Sequence, residues 1–337
     1  MKKMNVAING FGRIGRAALK IIITDFPNLN LVAVNDLSDN KTLSHLLKFD
    51  SVYGKAPFEV KDGEDCIYIK GKKINFLTEK DPNNLPWKKL KVDVVLECTG
   101  VFKTKEALSA HINAGAKKVV LSAPAKGKGV KMIVPGVNMN KVLKNDHIIS
   151  CASCTTNCLS PVTKVIKESF GIKKALMTTI HAYTATQNLI DTSHKDLRRA
   201  RAAALNMIPT TTGAAIATTS AFPSLKGKFD GMAVRVPIAV GSLVDVTYLL
   251  NKNVDEEKVF KAFYKAEKGK LKGILKTSNG FLVSSDIVGD SHSSIVDLSM
   301  TKIADGDMLK IIAWYDNEWA YSHRLVELVA NMIKFIK

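Results

Sequence analysis

Cys154 and His181 are the residues whose types and settings best support chemistry. Cys154 stands in Ser150-Cys151-Ala152-Ser153-Cys154-Thr155-Thr156-Asn157-Cys158, between a β-rich run (Asp146 to Ser150) and a helical pattern (Leu159 to Phe170). That setting puts its thiol at or just before a helix N-terminus, where unpaired N–H groups and the positive end of the helix dipole favour a thiolate. A thiolate there is a nucleophile, and the same N–H groups hold an oxyanion or a phosphate. His181 ends a β-branched run, Ala175 to His181, and is better placed as a base than His45, His111, His147, His194, His292 or His323. Two other readings stay open on the local stretch alone. Cys151 and Cys154 form a C-x-x-C, a spacing used by redox pairs, and buried cysteines are commonly inert. Nothing downstream supplies a second ligand pair, so no metal is expected.

A second constellation opens the chain. Met4 to Asn9 reads as a buried strand and runs into Gly10-Phe11-Gly12-Arg13-Ile14-Gly15, followed by an amphipathic helix through Ala17, Leu19, Ile21 and Ile22. Gly10 permits the tight turn, Gly12 lets the backbone approach a pyrophosphate, and Gly15 lets helix and strand pack closely. A second strand, Leu31 to Asn35, ends at Asp36, where a carboxylate meets a ribose 2′-OH and repels a 2′-phosphate. The cofactor expected is therefore NAD rather than NADP. Thiolate, imidazole and nicotinamide together imply oxidation of an aldehyde through a thioester. Cys154 adds to the carbonyl, hydride leaves the hemithioacetal, His181 takes the hydroxyl proton, and a second nucleophile releases the acyl group.

The elements that must position these residues follow a βα rhythm. Strands are expected at Val92 to Cys98, Lys118 to Ser122, Met132 to Val134 and Ile148-Ile149, with a helix from Thr104 to Ala114 and an inserted hairpin at Ile67 to Phe76 around Gly71. This is an α/β chain: a Rossmann-type doubly wound parallel sheet with its ligand at the carboxyl ends of the strands. Past Cys154 the texture changes. An irregular polar segment, Ala185 to Met207, precedes Thr212-Gly213 at the start of a helix, a second anion-binding N-terminus. Strand-like runs at Gly231 to Val236, Leu243 to Leu250 and Met308 to Tyr315 predict an α+β unit with a mixed, largely antiparallel sheet. The expected division is 1–153 for an NAD-binding domain, 154–318 for a catalytic domain, and 319–337 for a terminal helix packing back on the first.

The 337 residues suffice for two domains, and 46% hydrophobic with 24% charged residues is the balance of a soluble globular protein. No apolar run is long enough for a membrane helix. The apolar stretch after Met1-Lys2-Lys3 is broken at Gly10 to Arg16 and fails as a secretory signal. Five cysteines make no disulfide framework and suit a reducing cytoplasm. The lysines behind the net charge of +18 are scattered, with one tight cluster at Arg198-Arg199-Ala200-Arg201. Anionic small molecules are the favoured partners, and nucleic-acid binding is at most secondary.

The residues from Ile8-Asn9-Gly10-Phe11-Gly12-Arg13-Ile14-Gly15-Arg16 to Trp314-Tyr315-Asp316-Asn317-Glu318-Trp319 resemble the phosphorylating glyceraldehyde-3-phosphate dehydrogenases along essentially the full length. Between these ends stand Glu97 to Phe102, Ser122 to Lys126, the Ser153 to Cys158 signature and the arginine cluster. The resemblance implies a glycolytic, cytoplasmic homotetramer with Cys154 as nucleophile and His181 as base, and with Ala185–Met207 near a neighbour's cofactor. It implies that Thr184 and Arg235 hold the phosphate of glyceraldehyde 3-phosphate. Ser153, Thr155, Thr212 and Gly213 would hold inorganic phosphate, with Arg199 nearby. Asn317 would bond the nicotinamide amide, Thr99 and Ser122 would line the cofactor site, and Asp36 would hold the adenosine ribose. The C-x-x-C reading falls away, since Cys151 matches no functional position of the family; Cys158 is read as packing, with pairing to Cys154 under oxidation open to it. Three positions depart from the family's pattern: Thr186 for an aspartate, Thr192-Ser193 for a Leu-Pro beside the ribose, and Ile216 for a lysine. The small hydroxyl pair leaves some NADP use open. The rival enzyme is erythrose-4-phosphate dehydrogenase, which hydrolyses its thioester.

Overall fold

The computed structural model describes residues 3–336. Met1 and Lys2, at the head of the stretch weighed as a secretory signal, and Lys337, the expected end of the terminal helix, lie outside the described residues. The chain forms two compact units: one runs to Ala152 and resumes at Ser322, and the other spans Ser153 to Tyr321.

The first unit is built on a nine-stranded sheet among the described residues. Its spatial order is Lys131–Met132, Ile148–Ser150, Lys118–Leu121, Val94–Glu97, Met4–Asn9, Leu29–Asn35, Lys72–Leu77, Cys66–Ile69 and Val60–Asp62. The pairings from Lys131–Met132 through Lys72–Leu77 are parallel, as βα crossovers require. Strand order reverses between Met4–Asn9 and Val94–Glu97, where a doubly wound sheet opens a ligand crevice. The expected hairpin is present, but it is part of the sheet. Lys72–Leu77 pairs antiparallel with Cys66–Ile69 and also parallel with Leu29–Asn35, because Asn75 and Phe76 complete the edge that Ala33 and Val34 leave open. The expected strand at Met132 to Val134 shrinks to Lys131–Met132, where only two residues find partners on Ile148–Ser150.

Two glycines make the first turn possible. Gly10 adopts φ +90°, and a Cβ there would lie 2.5 Å from the Thr99 amide nitrogen. Helix Arg13–Asp25 packs so closely that a Cβ on Gly15 would lie 2.2 Å from the Gly10 carbonyl oxygen. The terminal helix Trp319–Asn331 stops short of the expected end and finishes in a 3₁₀ turn, Met332–Phe335.

The second unit has a seven-stranded mixed sheet: Ile208–Thr211, Phe229–Val236, Ile172–Ala182, Ser242–Leu250, Met308–Tyr315, Ser294–Ala304 and Leu275–Ser278. Four of the six pairings are antiparallel. The period-2 pattern of Ile172–Ala182 buries Ala175, Met177, Thr179 and His181 on one face, and Ser242, Val244, Val246, Tyr248 and Leu250 do the same next door. Helix Cys154–Phe170 lies against that face, capped by Ser153, whose hydroxyl accepts from the Thr156 N–H.

Gly15→Ala is expected to lower the unfolding free energy by about 1–3 kcal/mol, since its methyl must displace backbone rather than a flexible side chain. Chemical denaturation of the variant against wild type measures this.

Candidate active site

The reactive side chains of the second unit gather where strand ends and one helix start coincide. Cys154 is the first helical residue after the Ser153 cap, and His181 is the next-to-last residue of Ile172–Ala182. The register pairs His181 with Arg235 on the adjacent parallel strand and Tyr315 with Ser242 on adjacent antiparallel strands. Cys154 Sγ lies 3.5 Å from His181 Nε2. The far nitrogen, His181 Nδ1, lies 2.7 Å from the Ala182 carbonyl oxygen and 2.8 Å from Arg235 Nη1, which donates to the same carbonyl at 2.7 Å. In the tautomer whose Nδ1 proton is directed at that carbonyl, Nε2 presents its lone pair to the sulfur; in the other, Nδ1 accepts from Arg235. The Tyr315 ring meets the imidazole edge to face at 6.0 Å, and its hydroxyl bonds Thr155 Oγ1 and Thr179 Oγ1 at 2.9 and 3.0 Å.

Burial opposes charge on both members of the pair. Burial, then the Arg235 guanidinium, lowers His181 to about 3 despite the opposing pull of the Ala182 carbonyl. Burial also pushes the Cys154 thiol up, against the pull of Arg235, the Thr155 hydroxyl and the amides at the helix start. Loss of water at the thiol therefore works against the thiolate that the helix terminus, Arg235 and the Thr155 hydroxyl favour. Arg235 is itself lowered by burial, and its Nε is buried without a partner.

The other anion-binding candidates occupy four settings. Thr184, two residues past the end of the His181 strand, bonds Thr186 hydroxyl to hydroxyl at 2.8 Å. Arg199 is held by Nε donation to Thr210 Oγ1 at 3.0 Å, and Thr210 in turn donates to Asp196. Its charge also reaches His181 and Arg235, which places it on their side of the unit. Thr212 accepts from the Ala214 N–H at the start of helix Ala214–Ala221, and at Gly213 a Cβ would meet nothing within 4 Å. Ser153 and Thr155 already use their hydroxyls within the protein, so any anion there meets mainly backbone N–H groups. Ile216 is exposed on the helix after Gly213, and nothing in the structure explains its replacement of a lysine.

Asn317 is oriented before any ligand arrives. Its Oδ1 accepts from Gly241 N–H at 3.2 Å and from Ser242 Oγ at 2.9 Å, so its amide NH₂ is presented as a donor. Ser242 also accepts from the Ala182 N–H at 3.1 Å, which links Asn317 to the His181 anchor. Sequence reasoning assigned no role to Ser242 or Tyr315. The alternation that buries both at facing ends of paired strands is the signal that would have found them. Cys158 sits one turn along the helix, buried, with its thiol pushed up by desolvation and directed at the Ala313 carbonyl.

In the first unit a cleft of about 770 Å³ is lined by Asn9, Gly10, Gly12, Asn35, Asp36, Glu79, Thr99 and Phe102, among others. Gly12 caps helix Arg13–Asp25 with no side chain in the way, and a Cβ at Gly12 would point into open space. Asp36 is fixed by the amides of Phe11 at 2.7 Å and Ser38 at 3.0 Å. Phe11 is a core side chain, and Arg13 spends its guanidinium on Asp50 at 2.7 Å, so both offer the cleft backbone rather than side chain. Ile14 is partly buried in the helix, and the Ser122 N–H donates to Glu97 O at the end of its strand. A glycine cradle, an uncapped helix start and an acidic strand end fit a dinucleotide.

A doubly wound nucleotide-binding sheet and a mixed-sheet unit bearing a cysteine–histidine pair define an NAD-dependent dehydrogenase of the aldehyde-oxidising class. The particular family follows from comparison with known proteins. Residues 4–105 match the glyceraldehyde 3-phosphate dehydrogenase NAD binding domain, and residues 153–317 match the C-terminal domain of the same family. The chain is 51% identical to glyceraldehyde-3-phosphate dehydrogenase of Streptomyces coelicolor over 96% of its own length and 97% of that protein's. It is 52% identical to the proteins of that name from Mycobacterium avium and Mycolicibacterium smegmatis, over 97% of its own length and 98% of theirs. The chain belongs to the glyceraldehyde-3-phosphate dehydrogenase family, and its cofactor is NAD.

The folded His181 value lies below the ordinary imidazole value, so between about 3 and 6.5 the unfolded chain binds the extra proton. Its neutral form therefore supports folding above pH 6.5, and that contribution is lost as pH falls toward 3, on the order of 5 kcal/mol over the window. His181→Asn is expected to flatten the acid limb of the stability curve between pH 6.5 and 3, read from denaturant melts at stepped pH.

Proposed function

We propose that the chain oxidises D-glyceraldehyde 3-phosphate with NAD and inorganic phosphate to 1,3-bisphosphoglycerate, with Cys154 as nucleophile and His181 as general base. The observation that carries this reading is the 3.5 Å approach of Cys154 Sγ to His181 Nε2, with Nδ1 anchored behind it. Sγ attacks the aldehyde carbon as its proton passes to Nε2, and the carbonyl oxygen takes that proton to give a hemithioacetal. Bound NAD supplies the hydride acceptor. His181 removes the hydroxyl proton as the carbon–hydrogen bond breaks, leaving a thioester on Cys154. Phosphate attacks the thioester carbon, and the departing sulfur is reprotonated from Nε2. The imidazole holds each proton within reach, and Arg235 with the helix-start amides offsets the charge that develops.

In this reading Thr184 and Arg235 take the substrate phosphate. Ser153, Thr155, Thr212 and Gly213 take inorganic phosphate, with Arg199 alongside, and the Asn317 NH₂ donates to the nicotinamide carboxamide. Gly10 to Gly15, Asp36, Thr99 and Ser122 hold NAD, and residues 1–153 and 154–318 serve as cofactor and catalytic domains, with 319–337 belonging to the first. A homotetramer acting in the cytoplasm completes the reading. Among the described residues no helix is long and apolar enough to cross a membrane. Leu197 and Leu205, each more than four-fifths exposed in Ala185–Met207, support burial of that segment against another copy.

The test is NAD reduction with glyceraldehyde 3-phosphate, with and without phosphate. Turnover is expected to require phosphate, to fall about 10³-fold or more in Cys154→Ser, and to fall about 10²–10⁴-fold in His181→Asn. Rates indifferent to phosphate would indicate a hydrolytic enzyme acting on erythrose 4-phosphate instead. Gly12→Ala is expected to keep the melting temperature, since its methyl meets nothing, and to raise the KM for NAD about tenfold or more.

A further inference from the structure

Behind the cofactor cleft of the first unit lies a buried carboxylate that the chemistry above does not use. Glu97 ends strand Val94–Glu97, pairs in register with Asn9, and is fully buried. Its Oε2 accepts from Asn9 Nδ2 at 2.6 Å and faces His111 Nε2 at 3.0 Å. Its Oε1 accepts from both the amide and the hydroxyl of Thr99. Asn9 and Thr99 are walls of the cleft, and they flank the point where strand order reverses.

The direction of every bond in this network is set at its far ends. The Trp87 indole N–H, which can only donate, meets His111 Nδ1 at 3.0 Å, so Nδ1 accepts and the proton sits on Nε2, pointing at Glu97. On the other side the Glu79 backbone fixes Asn35: its N–H donates to Asn35 Oδ1, and its carbonyl accepts from Asn35 Nδ2, both at 2.9 Å. Asn35 Nδ2 also donates to Asn9 Oδ1 at 2.7 Å, which leaves Asn9 only its NH₂ to offer Glu97. Two chains of donors therefore converge on one carboxylate, and no rotation of Asn9, Asn35 or His111 reverses either. An amide in place of the acid would turn its own NH₂ toward a donor on one side or the other.

We propose that Glu97 is a positioning residue for the cofactor: it holds Asn9 and Thr99 in the conformations that receive NAD, with His111 and Trp87 locking it from behind. This rests on the reading of the cleft as the NAD site. The experiment measures NAD dissociation constants by calorimetry for wild type, Glu97→Gln and Asp36→Ala, with kcat at saturating NAD and the rate of Cys154 alkylation by iodoacetamide. Glu97→Gln is expected to weaken NAD about tenfold or more, with kcat and alkylation within about threefold of wild type. Unchanged NAD affinity in a folded Glu97→Gln, with Asp36→Ala weakened, overturns the role of Glu97 alone; unchanged affinity in both overturns the assignment of the cleft. Equal losses in affinity, kcat and alkylation would mark a general packing role and also overturn the proposal. Should Glu97→Gln not fold, His111→Gln and His111→Leu decide. The glutamine keeps an N–H near the position of Nε2 and should hold NAD affinity within about threefold, whereas the leucine should weaken it about fivefold; equal constants for the two overturn the inference.

Discussion

The backbone of Ala182 is the contact on which the reactive end of the second unit depends. Its carbonyl receives Arg235 and faces His181 Nδ1, and its N–H donates to Ser242, which in turn orients Asn317. A base, a cation and an oriented amide thus take their positions from one backbone unit at a strand end. Because Ala182 closes an eleven-residue strand paired on both sides, the anchor is as rigid as the sheet itself. Side-chain partners would have cost rotamer entropy that a strand end does not.

The first unit solves the same problem with a different anchor. There a buried carboxylate gathers donors from Asn9, Thr99 and His111, and the directions of those bonds are set by Trp87 and by the Glu79 backbone. In both units the polar groups that face solvent or ligand are held from behind by groups that cannot reverse their role, a carbonyl, an indole N–H or a carboxylate. Such one-way bonds narrow the conformations open to the site before any ligand binds.

Electrostatics separates what the site stores from what it does. Burial disfavours charge on the thiol and the imidazole alike, while Arg235 and the start of helix Cys154–Phe170 lean toward a charged sulfur. A permanently ionised pair would instead leave the sulfur open to oxidants and alkylating agents.

The sequence determined by itself that the first unit is a doubly wound nucleotide fold, because turn glycines, strand periodicity and the acid at Asp36 are all local signals. It likewise determined that Cys154 starts a helix and that His181 ends a strand. Tertiary structure decided the rest. Register between strands far apart in sequence set Arg235 beside His181 and Tyr315 beside Ser242, and no local pattern carries that information. The desolvation that opposes charge on the Cys154 thiol comes only from the packed structure, and no local pattern carries it. Glu97 was legible as part of a motif; its convergence of donors was not, since Asn9 reaches it across paired strands from 88 residues away and His111 from the following helix.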